Sequence, residues 1–274
     1  MNDPLHILSL GAGVQSSTLA LMAAKGEVGP MPTAAIFADT KNESASTYEW
    51  INWLETKLPF PIHRITNGDL AEESTRRRIN KKTGGAYYAN LIPAYAKNAD
   101  GTTGITGRTC TWHFKIKPIV KFMRQNYGIK RGQKTVGINQ WIGISLDEVS
   151  RMKPSREAWI KNKFPLIDAD MTRHDCLLWL EKNGYPTPPR SACTFCPFKS
   201  DHEWRSLPSN EMSSVIDFER KLQELHAGIS TAGKRQGVPF LHNSMIPIGE
   251  IDFSEDTTQG NLHFHNECEG MCGV

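Results

Sequence analysis

A short apolar strand that runs directly into a glycine-rich turn and a helix most restricts the fold of this chain. Residues 6–10 form the apolar run, and the turn Gly11-Ala12-Gly13-Val14-Gln15-Ser16-Ser17 follows at once. A helical pattern then covers residues 18–25 and ends at Gly26. Glycines let backbone amides approach anionic oxygens, and a helix N-terminus adds a positive dipole. The turn is therefore typical of a phosphate site, although a plain strand–helix turn with a serine cap has the same pattern.

Strands and helices alternate along much of the chain. Further strands are predicted at 33–38, 61–65 and 135–144, an amphipathic helix at 43–57, and helices at 113–127, 172–183 and 208–226. Thr172 is the predicted N-cap of the helix at 172–183. Residues 69–109 are polar and predict a short helix and a mobile loop over the site. Because alternating strands and helices build βαβ units, we predict an α/β fold with a mostly parallel sheet and helices on both faces.

Composition excludes several classes of protein. No apolar run approaches the roughly 20 residues that span a bilayer, so no membrane association is expected. The first ten residues lack a secretion signal, which makes a cytoplasmic location the expectation. A net charge of +3 is too small to predict nucleic-acid binding by itself. A chain of 274 residues does not need disulfides, so its six cysteines are expected to be free, metal-bound or catalytic.

Several motifs in a fixed order resemble one family. The turn at 11–17 resembles the PP-loop, Ser-Gly-Gly-x-Asp-Ser, with Gly11, Ala12 and Gln15 at substituted positions. Asp39-Thr40 resembles an Asp-Thr-Gly segment, with Lys41 in place of the glycine. Residues 141–151 resemble Gly-x-Arg-x-Asp-Glu-x-x-Arg, with serine at 145 in place of the first arginine. Over about residues 5–200 the chain thus resembles the phosphoadenosine phosphosulfate (PAPS/APS) reductase family of the PP-loop adenine nucleotide alpha hydrolase superfamily.

This resemblance implies an adenine nucleotide (PAPS, APS or ATP) as substrate, bound at the carboxyl ends of the strands. It implies an adenine-nucleotide-binding domain at 1–200 and a cysteine-bearing C-terminal subdomain, a helical extension with a cysteine tail, at 201–274. The residues that it assigns to the nucleotide are Ser9, Gly11, Gly13, Gln15, Ser16, Ser17, Asp39, Thr40, Gly143, Asp147 and Arg151. Arg108, Lys115 and Arg190 lie next to family motifs and are further candidates for sulfate or phosphate contacts.

Three cysteines form a candidate metal site. Cys193-x-x-Cys196 places two thiolates at a spacing that can hold one metal centre, and Cys110 lies in a segment that resembles the family's Cys-Cys-x-x-Arg-Lys-x-x-Pro. The resemblance implies a 4Fe–4S cluster on Cys110, Cys193 and Cys196. A zinc site that adds His113 is the alternative, since Cys3His sets bind zinc. Cys176 is expected in the core, and is also a spare fourth ligand.

The last residues carry two more thiols. Glu267-Cys268-Glu269-Gly270-Met271-Cys272 resembles in part the family's catalytic Glu-Cys-Gly-Leu-His tail, which makes Cys268 and Cys272 the candidate catalytic residues. A mobile thiolate there could attack sulfate sulfur and be released by a thioredoxin-like reductant, or the pair could pass a persulfide from a sulfur donor. A frayed tail without a catalytic role has the same sequence.

Three functions remain open at this point. The first is thiol attack on an activated sulfate nucleotide by a PAPS/APS reductase-like enzyme. The second is ATP-dependent sulfur transfer to a nucleobase, nucleotide or DNA backbone. The third is a non-catalytic nucleotide-binding accessory protein. The basic run Arg76-Arg77-Arg78 with Lys81-Lys82 leaves a nucleic-acid partner possible, and a solvated helix face explains it equally. A homodimer is also possible.

Overall fold

The computed structural model describes residues 3–98, 100–227 and 237–254. The strands in these residues are β1 Leu5–Ser9, β2 Ala34–Asp39, β3 Ile62–Thr66, β4 Arg78–Ile79, β5 Ala86–Tyr87, β6 Tyr95–Lys97, β7 Thr103–Ile105, β8 Ile138–Ile142, β9 Ile160–Lys163 and β10 Val238–Phe240. The α-helices are α1 Val14–Ala24, α2 Ala45–Glu55, α3 Leu70–Thr75, α4 Lys117–Asn126, α5 Pro165–Asp168, α6 Arg173–Lys182, α7 Asp201–Arg205 and α8 Ser209–Ala227. A π-helix, Thr111–Ile116, leads into α4.

The main sheet of the described residues has the strand order β3-β2-β1-β8-β9, and every neighbouring pair in it is parallel. The chain leaves β1 toward β2 and β3 on one side, and later returns to place β8 on the other side. Ligands of open α/β sheets bind outside the carboxyl ends of the strands at such a switch point. The predicted α/β class with a mostly parallel sheet is confirmed, and its switch point lies beside the glycine-rich turn.

One strand of this sheet was missed by the sequence analysis. The edge strand β9 pairs only with β8 in the described residues, and its sequence Ile-Lys-Asn-Lys has a single apolar residue. Edge strands keep one side open to water and tolerate charged side chains. A polar tetrapeptide therefore carries no hydrophobic pattern that would reveal it.

Two helices show how local sequence sets the boundaries. Thr172 caps α6 as predicted: its hydroxyl accepts from the Asp175 N–H at 3.2 Å, and the Asp175 carboxylate accepts from the Thr172 N–H. This capping box satisfies two N–H groups that the first turn leaves free. The helix predicted at 113–127 is instead a π-helix followed by α4, with Pro118 in the first turn of α4. Proline fits there because the first turn needs no N–H donor.

The main core lies between α1, α6 and the sheet. Residues 14–23 of α1 are all buried, since the helix is covered on one side by the sheet and on the other by α6. Trp141, Leu166 and Leu180 belong to this core. Helix α1 begins at Val14, earlier than the predicted residue 18, so the serines of the glycine-rich turn lie in its first turn.

A second core joins the segment at 70–114 to residues 195–248. It contains Leu70, Phe195, Trp204, Phe218 and Leu241. A three-stranded antiparallel sheet, β10-β6-β7, links the same two parts of the chain. Residues 69–109 thus contain α3 and four short strands in addition to loops. Within this segment β4 pairs with β5 and β6 with β7, and β6 also pairs with β10, which is more than 140 positions away. The domain boundary at residue 200 remains a prediction.

In the part of the chain that the structure describes, no helix has both the length and the apolar character to cross a membrane.

Candidate functional site

The turn between β1 and α1 is the first wall of the candidate nucleotide site. Gly13 is the N-cap of α1 in an extended conformation, and Ala12 takes the left-handed conformation with φ +65°. The Gly11 N–H donates to the Ser16 hydroxyl at 3.2 Å, which closes the turn on itself. Ala12 occupies a position where the PP-loop has glycine. Because alanine carries a Cβ, the left-handed conformation is strained at this residue.

The serines of this turn already make contacts inside the protein. The Ser17 hydroxyl accepts from the Trp50 indole N–H at 2.9 Å, and the Ser16 hydroxyl donates to the Gly13 carbonyl at 3.5 Å. Ser9, the last residue of β1, has a buried hydroxyl without a hydrogen-bond partner in the described residues. Ser9 is thus the serine here whose hydroxyl still needs a partner, as buried polar groups do.

Gln15 connects the turn to the segment after β8. Its Nε2 donates to the Glu148 carboxylate at 3.2 Å and to the Ser145 hydroxyl at 3.4 Å, and all three side chains are buried. Arg151 forms an ion pair with the same Glu148. The Gln15 carbonyl oxygen is buried without a partner in the described residues. The two segments that resemble the family therefore meet through their substituted residues, Gln15 and Ser145.

Two further predicted residues of the segment after β8, Gly143 and Asp147, lie close to the residues that contact Gln15. Gly143 is buried directly after β8. Asp147 is exposed and accepts from the Arg173 N–H at 3.0 Å, so it serves the first turn of α6. Anions at a helix N-terminus are stabilised by the free N–H groups and the dipole. A nucleotide role for Asp147 would compete with this contact.

Asp39 and Thr40 end β2 at the same edge of the sheet. The Asp39 carboxylate accepts from the Tyr48 hydroxyl at 2.8 Å and pairs with the Lys41 ammonium at 2.8 Å. Burial, together with the hydrogen bond to Asp39, raises the pKa of Tyr48. The Thr40 hydroxyl donates to Glu43 at 3.0 Å and lies 3.3 Å from the Cys193 sulfur. Thr40 thus touches both the nucleotide edge and a predicted metal ligand.

A cavity beside this edge gathers the three predicted metal ligands. It has about 420 Å³ of empty space, part of it open to solvent. Its lining consists of Thr40, Leu70, Ile92, Pro93, Arg108, Cys110, Lys115, Cys193, Phe195, Cys196 and Pro197. In the described ranges no three side chains among His, Cys, Asp and Glu lie close enough to hold a metal ion as placed. The three thiols therefore line one cavity, but they do not lie close enough together to form a metal site.

A buried ion pair supports the wall around Cys193. Lys115 and Glu43 lie 3.7 Å apart with almost no exposed side-chain area, and the Cys193 thiol lies 3.9 Å from the same Glu43 oxygen. Burial and the Glu43 charge raise the pKa of Cys193, while Lys115 opposes them. Glu43 was not among the predicted site residues, because a single glutamate at a helix start carries no distinguishing pattern.

The other proposed ligands lie elsewhere. His113 is in the π-helix, where its backbone carbonyl accepts from the Asn67 side chain at 3.0 Å, and it is absent from the described lining of the cavity. Cys176 is fully buried in the core with Leu180. Cys268 and Cys272 lie outside the described residues.

The basic candidates are mostly paired with carboxylates. Arg190 forms an ion pair with Glu203, as Lys115 does with Glu43 and Arg151 with Glu148. Arg108 lines the cavity and stacks over the Phe198 ring at 5.4 Å. Arginine presents its donors in a fixed planar fork that suits sulfate and phosphate. Arg108 and Lys115 are thus the two cations in the described lining of the cavity, and Lys115 pairs there with Glu43.

Ser191 is a further residue that the sequence analysis missed. Its hydroxyl donates to the Gly11 carbonyl, and the backbone of Thr194 donates to the Asn42 carbonyl at 2.8 Å. The segment that carries Cys193 and Cys196 thus lies across the loops that follow β1 and β2. Contacts of this kind between distant loops leave no signal in the sequence.

No protein-family model matches this chain, and no curated protein sequence matches it. Among solved structures, it is similar to the phosphoadenylyl-sulfate (PAPS) reductase from Candida auris in its phosphate complex. That match has 14% identity, a TM-score of 0.44, and covers 68% of this chain and 76% of the other. It is also similar to the U34-tRNA thiolase NcsA from Methanococcus maripaludis with its 4Fe–4S cluster. Here the identity is 14%, the TM-score 0.38 and the coverage 87% and 76%.

Both similarities are too distant to say anything about the site. The strand order and parallel pairing stand on the structure of this chain alone. The chain is accordingly an α/β protein with a parallel sheet.

Proposed function

We propose that this chain is an enzyme of sulfur chemistry that binds an adenine nucleotide beside a cysteine-held iron–sulfur cluster. One observation carries the proposal. Cys110 lies 83 positions before Cys193, yet both line the same cavity with Cys196. Thr40 at the end of β2 belongs to that cavity and to the predicted nucleotide edge. A nucleotide bound at the switch point would therefore lie next to the three thiols.

The donor set fits a cluster better than zinc. Three thiol sulfurs are soft ligands of the kind that hold both iron–sulfur clusters and zinc, so the fourth ligand decides between them. The rival Cys3His site needs His113, which does not belong to the described lining of the cavity. When bound, such a cluster would supply an iron with a coordination position that these three cysteines leave open.

The first candidate reaction is that of a PAPS/APS reductase-like oxidoreductase. A Cys268 or Cys272 thiolate attacks the sulfur of the activated sulfate, and a sulfur–sulfur bond forms. The bond from sulfur to the phosphate oxygen breaks, and the nucleotide leaves with the electron pair. A thioredoxin-like dithiol then reduces the sulfur–sulfur bond, releases sulfite and becomes a disulfide. Arg108 would hold the anionic substrate at the cavity, and the N-terminus of α1 would face the phosphates.

The second candidate is ATP-dependent sulfur transfer to a nucleobase, nucleotide or DNA backbone. This candidate is favoured by the number of cysteines at the cavity, because three ligands leave one position of a cluster open for sulfur. The described lining has three cysteines, and Cys176, the spare fourth ligand, lies in the main core. An ATP-splitting enzyme of this kind needs a magnesium ligand, and the amide of Gln15 is poorer in this role than a carboxylate. The glutamine at position 15 therefore favours the first candidate.

Products separate the two reactions. Anaerobically purified protein is incubated with APS, with PAPS or with ATP, and sulfite, AMP and pyrophosphate are measured. Sulfite from APS or PAPS with a thioredoxin-like reductant supports the reductase. Pyrophosphate from ATP alone overturns it in favour of sulfur transfer. If none of the three nucleotides binds, an enzyme of either kind is refuted.

Absorption spectra and variants test the cluster and the tail. A broad blue-end band that bleaches on reduction supports iron–sulfur, and a colourless protein with stoichiometric zinc refutes it. Cys193→Ala should lose the band, and the matched control Cys176→Ala should keep it. Cys268→Ser and Cys272→Ser should lose turnover and keep nucleotide affinity; full activity in both variants would remove the tail from the mechanism.

A further inference from the structure

Positive charge is concentrated in one stretch of this chain. Residues 76–134 contain 14 Lys and Arg and a single acidic residue, Asp100, although the whole chain has 32 basic and 29 acidic residues. The rest of the chain is therefore net negative. Such asymmetry is typical of chains that bind polyanions. The small total charge had concealed it.

The start of this stretch forms a hairpin, which we name the basic hairpin (residues 76–88). Strands β4 and β5 pair antiparallel in it, with Arg78 opposite Tyr87. The turn between them is closed by Asn80, whose side chain accepts from the Lys82 N–H at 2.9 Å. This closed turn holds Lys81 and Lys82 at the exposed tip of the hairpin.

Two sets of cations differ in their partners. Arg76 and Arg78 both pair with Glu73 of α3, at 2.6 and 2.8 Å, and these pairs fasten the hairpin to the helix. Arg77, Lys81 and Lys82 are exposed and form no ion pair with any described residue. Three cations on one short hairpin are thus left for an external anion.

An aromatic ring accompanies these cations. Tyr87 is 45% exposed at the end of β5. Proteins that bind single strands combine unpaired cations along the backbone with aromatic rings on which bases stack. Duplexes keep their bases stacked inside, so an exposed ring on a hairpin suits unpaired bases.

The basic hairpin is continuous with the wall of the cysteine cavity. Five residues after Tyr87 the chain reaches Ile92, which lines the cavity. Five residues span at most about 18 Å when fully extended. The Thr109 hydroxyl, next to Cys110, donates to the Asn90 carbonyl at 2.8 Å and ties the two segments together. A strand held on the hairpin therefore lies near the predicted reaction site.

We propose that the basic hairpin binds a single-stranded nucleic acid through Arg77, Lys81, Lys82 and Tyr87. The backbone phosphates contact the cations and a base stacks on the ring. This binding goes beyond the proposed function, because it does not depend on which sulfur reaction occurs. If the strand is also the sulfur acceptor, it names the substrate class of the second candidate reaction.

Fluorescence anisotropy tests the proposal with three labelled probes: a 20-nucleotide RNA, a DNA strand of the same sequence, and the DNA duplex. Single strands should bind more tightly than the duplex, and the RNA and DNA arms identify the polymer. Three phosphate contacts predict a slope of about −2 for log K against log salt on a single strand. Lys81→Glu with Lys82→Glu should reduce that slope to about −0.7 and weaken binding more than tenfold.

The ring is tested separately from the charges. Tyr87→Ala should weaken binding at least about fivefold, and Tyr87→Phe should restore it, since stacking needs only the ring. The charge-matched control is Lys161→Glu with Lys221→Glu, two exposed lysines outside the hairpin. Lys81→Gln with Lys82→Gln keeps the test valid if the glutamate variant misfolds, as judged by circular dichroism.

Three results would overturn the proposal. The control variant could lose as much affinity as the hairpin variant, the duplex could bind as tightly as single strands, or polyglutamate could compete with the strand as well as nucleic acid does. Activity on free nucleotides is measured in the same variants. Hairpin variants that lose strand binding but keep activity on free nucleotides would support the hairpin as a surface separate from the reaction site.

Discussion

The buried contact between Gln15 and Glu148 leads to a prediction about charge in the candidate site. Gln15→Glu replaces the amide with a carboxylate of the same shape, and the new oxygen would lie about where Nε2 now stands, 3.2 Å from the Glu148 carboxylate. Two unit charges at that distance repel by about 5 kcal/mol at an effective dielectric constant of about 20. Both side chains are buried, so solvent screens little of this repulsion.

Protonation of one of the two carboxyl groups costs less free energy than this repulsion. A carboxyl with an unfolded pKa of about 4.3 keeps its proton at pH 7 at a cost of about 4 kcal/mol, and at pH 5 at a cost of about 1 kcal/mol. The proton also restores the hydrogen bond that Gln15 donates. We therefore expect the variant to be less stable than the wild type by about 4 kcal/mol at pH 7 and by about 1 kcal/mol at pH 5.

The direction of this pH dependence follows from the linkage between proton binding and folding. The carboxylate pair in the folded variant binds a proton that the unfolded chain releases near pH 4, so the folded-state pKa is raised. Stability relative to the wild type then falls as pH rises from the unfolded pKa of about 4.3 toward the raised folded-state pKa, and is constant at higher pH. Urea denaturation followed by tryptophan fluorescence, with a metal chelator present, measures the free energy of unfolding at both pH values.

The control variant is Gln125→Glu, which adds the same charge at an exposed position on α4. It should change the free energy of unfolding by less than about 0.5 kcal/mol at either pH. A loss of unfolding free energy below about 1 kcal/mol at pH 7 in Gln15→Glu, or an equal loss at pH 5 and pH 7, would refute repulsion between two buried carboxylates at this site.

Three further predictions concern the second core, α6 and the metal. Glu219 accepts from the Leu241 and Ile248 N–H groups at 2.7 and 2.6 Å, so Glu219→Gln leaves one of them poorly satisfied. We expect a loss of about 1–3 kcal/mol in urea denaturation, and an unchanged midpoint would contradict it. Thr172→Ala removes half of the capping box and should cost about 1 kcal/mol, with a cost below about 0.3 kcal/mol as the contrary result. Removing iron with a chelator should abolish the blue-end absorption and leave adenine-nucleotide affinity within about twofold; a larger loss of affinity would contradict nucleotide binding by the protein side chains without the metal.

The local sequence pattern was sufficient to predict strands that are buried in the sheet and a helix whose cap lies within its own first turn. The strand β2 is an almost continuous apolar run, and β1 and β8 have apolar residues at three of their five positions, because both faces of a parallel sheet are covered by helices. The start of α6 was visible in Thr172 because a capping box is closed within four residues. The polar edge strand β9 lacked any such signal.

The candidate site shows the same division. The glycine-rich turn and Cys193-x-x-Cys196 were recognisable because their geometry is set over a few residues. Glu43 and Ser191 were not, since each acts through a contact with a residue 150 or more positions away: Cys193 for Glu43 and Gly11 for Ser191. The zinc alternative also stayed open in the sequence, as His113 has the right spacing but does not reach the described lining of the cavity.

The α/β class, the strand–turn–helix at the start and the cysteine spacing can be predicted from the amino-acid sequence, because they depend on periodicity and on neighbouring residues. The cavity that Cys110 shares with Cys193 and Cys196, and the contact between Gln15 and Glu148, are features of the tertiary structure. The physical reason is that the carboxyl ends of parallel strands meet at one edge of the sheet, whatever their separation along the chain. Residues in different loops become neighbours there through the order of the strands, which no local pattern encodes.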